Sequence, residues 1–208
     1  MTGSNIVSIE NTNLVILYAK YIDTWVNGDT DSNGYYFDYG NTGLIEVKSV
    51  KENPINNELD GSGTEDDPYL IRTVEDFNIA TMKSNLVNTY YRLENNLDFN
   101  GKVFYQFGTG AKPFNGIFDG NAKTISNIKI NSTVEDAGIF GYNKGIIKGL
   151  TVENVSVTGT KYVGGLVGYN SGIISDVIVN GSVTGSGDYV GGLIGYSTGS
   201  SSSSYAKN

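Results

Sequence analysis

The sequence predicts a mainly β protein, in which a right-handed parallel β-helix with coils of 22 to 27 residues follows a small α+β unit. The first observation is a segment that occurs three times, as Ala137–Asn143 (AGIFGYN), Gly164–Asn170 (GGLVGYN) and Gly191–Ser197 (GGLIGYS). Successive copies start 27 residues apart, and short β-branched runs separate them. A fixed period of this size indicates a repeat architecture, because no single unit buries its apolar face alone.

Residues 1–50 are predicted to form the α+β unit, with one helix and one hairpin. Apolar side chains between Leu14 and Val26 recur at intervals of three and four residues, which is the stripe of an amphipathic helix. Tyrosine-rich residues 35–39 and residues 44–48 flank a Gly-Asn-Thr-Gly segment, which is typical of a β-hairpin. We interpret this unit as an attachment domain.

Residues 51–67 are predicted to be a linker, because they are rich in Asn, Glu, Asp, Gly and Ser. Residues 68–112 are predicted to form the N-terminal cap and the first strands of the β-helix. Within the cap, Thr73 and Asp76 match a helix capping box. The apolar residues expected to pack on the first coil are Val74, Phe77 and Met82.

Residues 113–208 are predicted to form the coils. Gly116–Ile130 resembles Gly138–Val152 at an offset of 22 residues, which predicts an earlier coil with a shorter turn. Residues 27 apart should lie one above another at about 4.8 Å. Ser200–Asn208 aligns with Ile173–Gly181, so we expect the coil to be truncated at 208. The structural repeat positions are Gly138, Gly141, Tyr142, Gly165, Gly168, Tyr169, Gly192, Gly195 and Tyr196.

A series of short motifs runs through the chain from about residue 61 to 208. Its members are Gly63-Thr64, Asp67–Ile71, Glu75–Phe77, Tyr91–Leu93, Asn96–Asp98, Phe114–Gly120 and Val163–Tyr169. This series resembles the GLUG-repeat β-helix modules. The resemblance implies the fold and a place among large bacterial surface proteins and adhesins, where such repeats serve as stalk or binding surface. Residues 1–60 match no family in this way.

The composition excludes several classes of function. The 208 residues include no Cys and no His, so thiol and imidazole chemistry is absent. A net charge of −8 and a pI near 4.5 argue against nucleic acid as a partner, because nucleic-acid binding needs a basic face. The longest apolar-rich run, from Leu14 to Val26, is broken by Lys20 and Asp23, so we expect no membrane insertion.

One candidate metal site follows the predicted helix. Asp29, Asp31 and Asn33 alternate before a glycine, as in the first half of a calcium loop, and Asp38 could complete the oxygen ligands. The twelfth position is Gly40, where a bidentate Glu is typical. A polar turn leading into the hairpin explains the same residues. The cofactor prediction is therefore none, or Ca²⁺.

The stacking of coils also allows a search for catalytic acids. Two carboxylates that cleave a glycan together should lie on adjacent coils. No acid lies directly above another at the 27-residue spacing. Asp98 and Asp119 occur where the GLUG-type pattern has turn acids. We therefore predict no catalytic residue and a protein that is not an enzyme.

The same spacing predicts contacts between coils. Asn143 should lie below Asn170 in an amide ladder, and Lys161 below Asp188 in an ion pair. Two tyrosine columns are expected, one through Tyr142, the other through Tyr162. A carbohydrate-binding platform and ordinary packing between coils both explain such columns, and packing is favoured.

We hypothesise from these features that the chain is the proximal part of a phage-tail or tail-like-bacteriocin fibre. Residues 1–50 would bind other structural proteins, and a distal region would bind a bacterial surface glycan or protein. Met1–Asn5 lacks a secretory signal, which suits assembly in the cytoplasm and release in a virion or tail-like particle. A homotrimer is expected. The alternatives are a fragment of a bacterial cell-surface GLUG-repeat adhesin and a polysaccharide-degrading β-helix enzyme.

Overall fold

The computed structural model describes residues 36–39, 45–49 and 58–207. The chain divides into two compact units, Met1–Asn56 and Asn57–Asn208. In the first unit, strands β1 (Tyr36–Tyr39) and β2 (Ile45–Ser49) pair antiparallel, which confirms the predicted hairpin. The helix predicted between residues 14 and 26 lies outside the described residues.

The second unit contains one described helix and a long series of strands. The helix, α1, spans Val74–Met82. The strands are β3 (Tyr69–Ile71), β4 (Tyr90–Leu93), β5 (Leu97–Asp98), β6 (Ile117–Ser126), β7 (Lys129–Asn131), β8 (Phe140–Asn143), β9 (Ile146–Gly159), β10 (Val163–Gly164), β11 (Val167–Asn170), β12 (Ile173–Gly185), β13 (Val190–Gly191), β14 (Ile194–Ser197), β15 (Ser200–Ser202) and β16 (Tyr205–Lys207). No helix in the described part of the chain has the length and apolar character needed to cross a membrane.

The strands of the second unit pair in parallel and wind into a β-solenoid of about four turns. One sheet has the order β15-β12-β9-β6-β4-β3, and a second has the order β14-β11-β8. Val167 of β11 lies between Phe140 of β8 and Ile194 of β14, which are the equivalent residues of the two neighbouring coils. The predicted fold class and the predicted register of these coils are confirmed.

The alignment predicted for the earlier coil is wrong. It sets Ile117 against Ile139, whereas Ile117 of β6 pairs with Ile146 of β9. The register is set by backbone hydrogen bonds such as that from Ile146 N to Gly116 O, at 2.9 Å. The Gly-Ile-Phe motifs at 116 and 138 are therefore alike in sequence but occupy different places in their coils.

The interior of the solenoid is filled by stacked apolar side chains. Phe118, Ile147 and Ile174 come from three successive coils, and each has 0% exposure. Ile125, Val152 and Val179 form a second such column. Because alternate residues of a strand point to the same side, the β-branched runs supply one interior residue in every two.

Helix α1 and aromatic rings fill the N-terminal end of the core. The predicted capping box is present, since Asp76 N donates to Thr73 Oγ1 and Thr73 N donates to Asp76 Oδ2, both at 3.0 Å. Phe77 is buried, with its ring 4.9 Å from that of Phe107. Met82 is 72% exposed, so its predicted packing is wrong. It follows Phe77 by five residues, which turns it to the opposite side of the helix.

Candidate functional site

The candidate site is a patch of five tyrosines, which we call the tyrosine face: Tyr142, Tyr162, Tyr169, Tyr189 and Tyr196. One column consists of the third residues of β8, β11 and β14, which pair with one another in register. Their side chains are half-buried. The repeated glycine-tyrosine motif therefore places one ring on each of three successive coils.

The second column of the tyrosine face lies at a corner of the solenoid. Tyr162 and Tyr189 directly precede β10 and β13, and both adopt left-handed backbone conformations, with φ of 53° and 65°. Asp136 has the same conformation one coil earlier, with φ of 64°. A positive φ is rare for a bulky side chain and costs free energy. The corner conformation is thus kept even where it must hold a tyrosine.

A column of glycines lets this corner approach the sheet. A Cβ at Gly168 would lie 2.7 Å from both the Asp136 Cα and the Tyr162 carbonyl oxygen. A Cβ at Gly195 would lie 2.6 Å from Val163 N. These positions have no space for a side chain. The glycine before each column tyrosine is therefore what brings Tyr162 beside the rings of the sheet.

The five rings of the tyrosine face form one continuous cluster. Along the sheet column, the ring centroids are 4.6 Å apart for Tyr142 and Tyr169 and 5.1 Å apart for Tyr169 and Tyr196. Tyr162 and Tyr189 are stacked at 5.1 Å with an interplanar angle of 15°. Tyr162 is 5.5 Å from Tyr169, which joins the columns. These separations are those of favourable aromatic pairs.

Lysines and carboxylates flank the tyrosine face. Lys161 Nζ lies 4.5 Å from the centroid of the Tyr162 ring and 3.5 Å from Glu135 Oε1. Contact with Tyr162 and the charge of Glu135 raise the pKa of Lys161, so it stays cationic. The predicted Lys161–Asp188 ion pair is wrong. The pairing of Ala137 with Val163 brings Glu135 into register with Lys161 from the preceding coil, and the flexible lysine side chain contacts this carboxylate instead.

Asp136 also borders the tyrosine face. Burial raises the pKa of its carboxyl, and the neighbouring Glu135 raises it further, while Lys161 acts in the opposite direction. The carboxylate is therefore less stable than one in water. Sequence reasoning missed Asp136 and Glu135, although the separation of Glu135 from Lys161 is close to one coil of sequence.

The remaining repeat glycines also lie where space is short. A Cβ at Gly141 would come within 2.7 Å of Gly108 O, and one at Gly138 within 2.9 Å of Leu166 O. A Cβ at Gly192 would lie 2.8 Å from the Ala206 methyl group, and a Cβ at Gly165 would overlap Gly192 O. These positions thus have a packing role between coils.

A buried amide ladder lies beside the sheet column. Asn143 Nδ2 donates to Asn170 Oδ1 at 2.8 Å, and Asn170 Nδ2 donates to Ser197 Oγ at 3.1 Å. Asn143 and Asn170 have 0% exposure. The predicted ladder is confirmed, and it extends by one coil to the serine.

The two acids considered for catalysis are held in turns. Asp98 Oδ1 accepts from Asn127 Nδ2 at 2.7 Å and from Asn100 N at 2.9 Å, which lowers the pKa of Asp98. Asp119 Oδ1 accepts from Asn121 N at 2.8 Å. Asn154 continues the Asp98 ladder by donating to Asn127 Oδ1 at 2.7 Å. Sequence reasoning missed this ladder, although Asn127 and Asn154 are separated by the period of the repeat.

Two other places bear on ligand binding. The calcium site predicted at Asp29, Asp31, Asn33 and Asp38 lies outside the residues whose side chains the structure describes; within the described ranges, no group of three or more acidic residues could hold a metal ion. A cavity of about 220 Å³ lies at the last coil and is lined mostly by apolar residues and glycines. Its lining residues are Val179, Gly181, Val183, Val190, Gly191, Gly192, Ala206 and Lys207.

No family model matches the chain. In sequence, the chain is similar to halomucin of Haloquadratum walsbyi (strain DSM 16790 / HBSQ001), with 35% identity over 99 residues. The match covers 44% of the chain and 1% of halomucin, so the chain corresponds to a small part of that relative. Among solved structures, it is similar to a candidate immunoglobulin A1 protease from Bacteroides ovatus, with a TM-score of 0.40 and 18% identity over 70% of this chain and 69% of that chain.

Proposed function

We propose that the chain is a non-enzymatic module of a microbial cell-surface protein, in which the solenoid is a rigid spacer and presents a binding face. The observation that carries this proposal is the continuous register from coil to coil. Val167, Tyr169 and Asn170 each pair with the equivalent residue of both neighbouring coils. Such a stack can be lengthened without changing its core, which is what a spacer requires.

Two further observations support this role. The chain is similar to a short stretch of halomucin, a much longer protein, which suits a module within a long chain. The acids that would have served an enzyme, Asp98 and Asp119, each accept hydrogen bonds within their own turns. Those hydrogen bonds give both carboxylates a structural role in their turns.

The test is the location of the protein in its source organism. Antibodies raised against the full chain should label intact cells in immunogold microscopy, and brief external proteolysis should remove the label. A strain without the gene is the control. Label confined to the cell interior in intact cells would contradict the proposal.

The proximal part of a phage-tail or tail-like-bacteriocin fibre is a second candidate. The division of the chain into a small unit, Met1–Asn56, and a solenoid unit favours it, because an attachment head followed by a stalk has this form. In that case the label should purify with tail-like particles after induction rather than with cell envelopes. Of the two candidate functions, only this one includes a trimeric state and partner proteins that bind residues 1–50.

A further inference from the structure

The tyrosine face has features that packing between coils does not require. In the coil before that of Tyr162, the equivalent corner position is occupied by Asp136. A small side chain is therefore enough to form this corner. Asn127 and Asn154 adopt left-handed conformations at other corners, where Asn is better tolerated than a bulky residue. Two successive tyrosines at strained positions indicate a role for the rings themselves.

The rings of the tyrosine face are accessible and keep hydrogen-bonding capacity. Tyr189 is 48% exposed, and the other four are half-buried. Among the described residues, the hydroxyls of Tyr142, Tyr169, Tyr189 and Tyr196 make no hydrogen bond to the protein; the buried Tyr91 hydroxyl, by contrast, donates to Lys83 O at 2.7 Å. The face therefore offers apolar ring surface together with free donors and acceptors.

We propose that the tyrosine face binds an uncharged polysaccharide chain that lies along the solenoid axis. The C–H faces of sugar rings pack on aromatic rings, and sugar hydroxyls exchange hydrogen bonds with phenols. The tyrosines repeat along the axis at the coil spacing of about 4.8 Å, so successive sugars meet successive rings. The open surface, which spans three coils, suits a chain rather than a small molecule.

The charges around the tyrosine face favour an uncharged ligand. Lys161 is paired with Glu135 at 3.5 Å, and Lys144 Nζ lies over the Tyr142 ring at 5.3 Å. Asp136 and Asp188 add negative charge nearby, in a chain whose net charge is −8. An anionic glycan or a nucleic acid would meet a surface with no excess of positive charge.

This proposal rests on the cell-surface role proposed above, because a protein at the cell surface can contact polysaccharides. It is tested by affinity gel electrophoresis of the full chain in gels that contain hydroxyethylcellulose, galactomannan or soluble β-1,3-glucan. Parallel gels contain alginate or heparin. At least one uncharged polysaccharide should retard the native chain, and the anionic ones should not.

Two substitutions locate the binding. Tyr189→Ala should weaken the retarding affinity by about threefold to tenfold, because each tenfold change corresponds to about 1.4 kcal/mol and one aromatic contact is worth about that much or less. Tyr189→Phe should keep the stacking and lose only part of the affinity. Tyr105→Ala is the matched control, because Tyr105 is 53% exposed and lies outside the face. Circular dichroism checks that each variant is folded.

Three results would overturn the proposal: no retardation by the three uncharged polysaccharides, retardation by the anionic ones alone, or equal losses in Tyr189→Ala and Tyr105→Ala. None of these would alter immunogold labelling of the cell surface. The failure of glycan binding is thus distinguishable from the failure of the surface role.

Discussion

Asn143 Nδ2 donates a hydrogen bond to Asn170 Oδ1 at 2.8 Å, across 27 residues of sequence and between two adjacent coils. Each amide also accepts a backbone bond from the glycine two residues on, at 3.0 Å for Gly145 N and 3.3 Å for Gly172 N. A slip of one residue between coils would leave these buried groups unpaired. The ladder therefore fixes the register of the stack.

Replacing the middle amide of this ladder should destabilise the solenoid. In Asn170→Ala, the buried Gly172 N–H loses its side-chain acceptor, and the buried Asn143 amide keeps only the 3.4 Å bond to Gly145 O. The Ser197 hydroxyl loses the donor from Asn170. Unsatisfied buried polar groups cost about 1 to 3 kcal/mol each, so we expect a loss of about 3 kcal/mol in the free energy of unfolding. Urea denaturation followed by circular dichroism measures it.

The control for this substitution is Asn180→Ala. Asn180 is half-buried, and its amide donates to Glu153 Oε2 at 3.0 Å near the surface. Because water can replace that bond, the loss should be below about 1 kcal/mol. Equal losses in the two variants would show that the ladder has no special role in stability.

A methyl group at Gly172 should disturb the stack through backbone contact. A Cβ there would overlap the carbonyl oxygen of Gly145 and lie 2.8 Å from Asn143 Nδ2. Backbone cannot move aside cheaply, so Gly172→Ala should cost about 3 kcal/mol of unfolding free energy. Thermal unfolding measures the change.

Gly110→Ala is the matched control for Gly172→Ala. Its Cβ would meet only the Asp136 carboxylate, at 3.2 Å, and that side chain can turn away. We expect a change below about 0.5 kcal/mol. A mild Gly172→Ala variant would mean that the coils separate more easily than the close contact indicates.

The features that sequence analysis predicted correctly depend on spacing within a coil or between equal coils. The Asn143–Asn170 ladder follows from the period of the repeat, and the Thr73–Asp76 capping box follows from a separation of three residues. The ladder needs only coils of equal length, and the capping box needs only the geometry of the first helical turn.

The features that it missed depend on unequal coils and on flexible side chains. The register between β6 and β9 shifts between Asp119 and Lys123, so the pairing of Ile117 with Ile146 departs from the period that the later residues keep, and no motif alignment gave it. Lys161 lies in register with a carboxylate on each neighbouring coil, Glu135 and Asp188, so the repeat spacing alone does not decide which one its flexible side chain contacts. The sequence predicted the two tyrosine columns but not the contact between them. Tyr162 reaches Tyr169 only because the corner that carries Tyr162 packs closely against Gly168.

Stability should depend on pH through Asp136. Burial and the adjacent Glu135 raise the pKa of this carboxyl, opposed in part by Lys161, so the folded state disfavours its ionisation. The destabilisation is absent below the ordinary Asp pKa of about 3.9 and fully present above the raised value. Asp136→Asn should therefore stabilise the protein at pH 7 by about 0.5 kcal/mol, after allowance for solvent screening.

This gain should vanish when urea denaturation of Asp136→Asn and the native chain is compared at pH 3. Asp188→Asn removes an exposed carboxylate beside the Tyr189 corner, two coils further on, and serves as the control, with a smaller change at pH 7. A stabilisation by Asp136→Asn that persists unchanged at pH 3 would assign the effect to the amide's own contacts instead of to charge.

Duplicating one coil should lengthen the solenoid without disrupting it. β11 pairs in the same register with β8 and with β14, so a coil is complementary to a copy of itself. A second copy of residues 163–189 inserted after Tyr189 should fold cooperatively and raise the urea m-value by roughly a quarter, because one coil is added to about four. Inserting residues 163–175 alone is the control, since half a coil would set interior residues against corners and lower stability. If both insertions were equally damaging, the coils would not be the interchangeable units that a spacer requires.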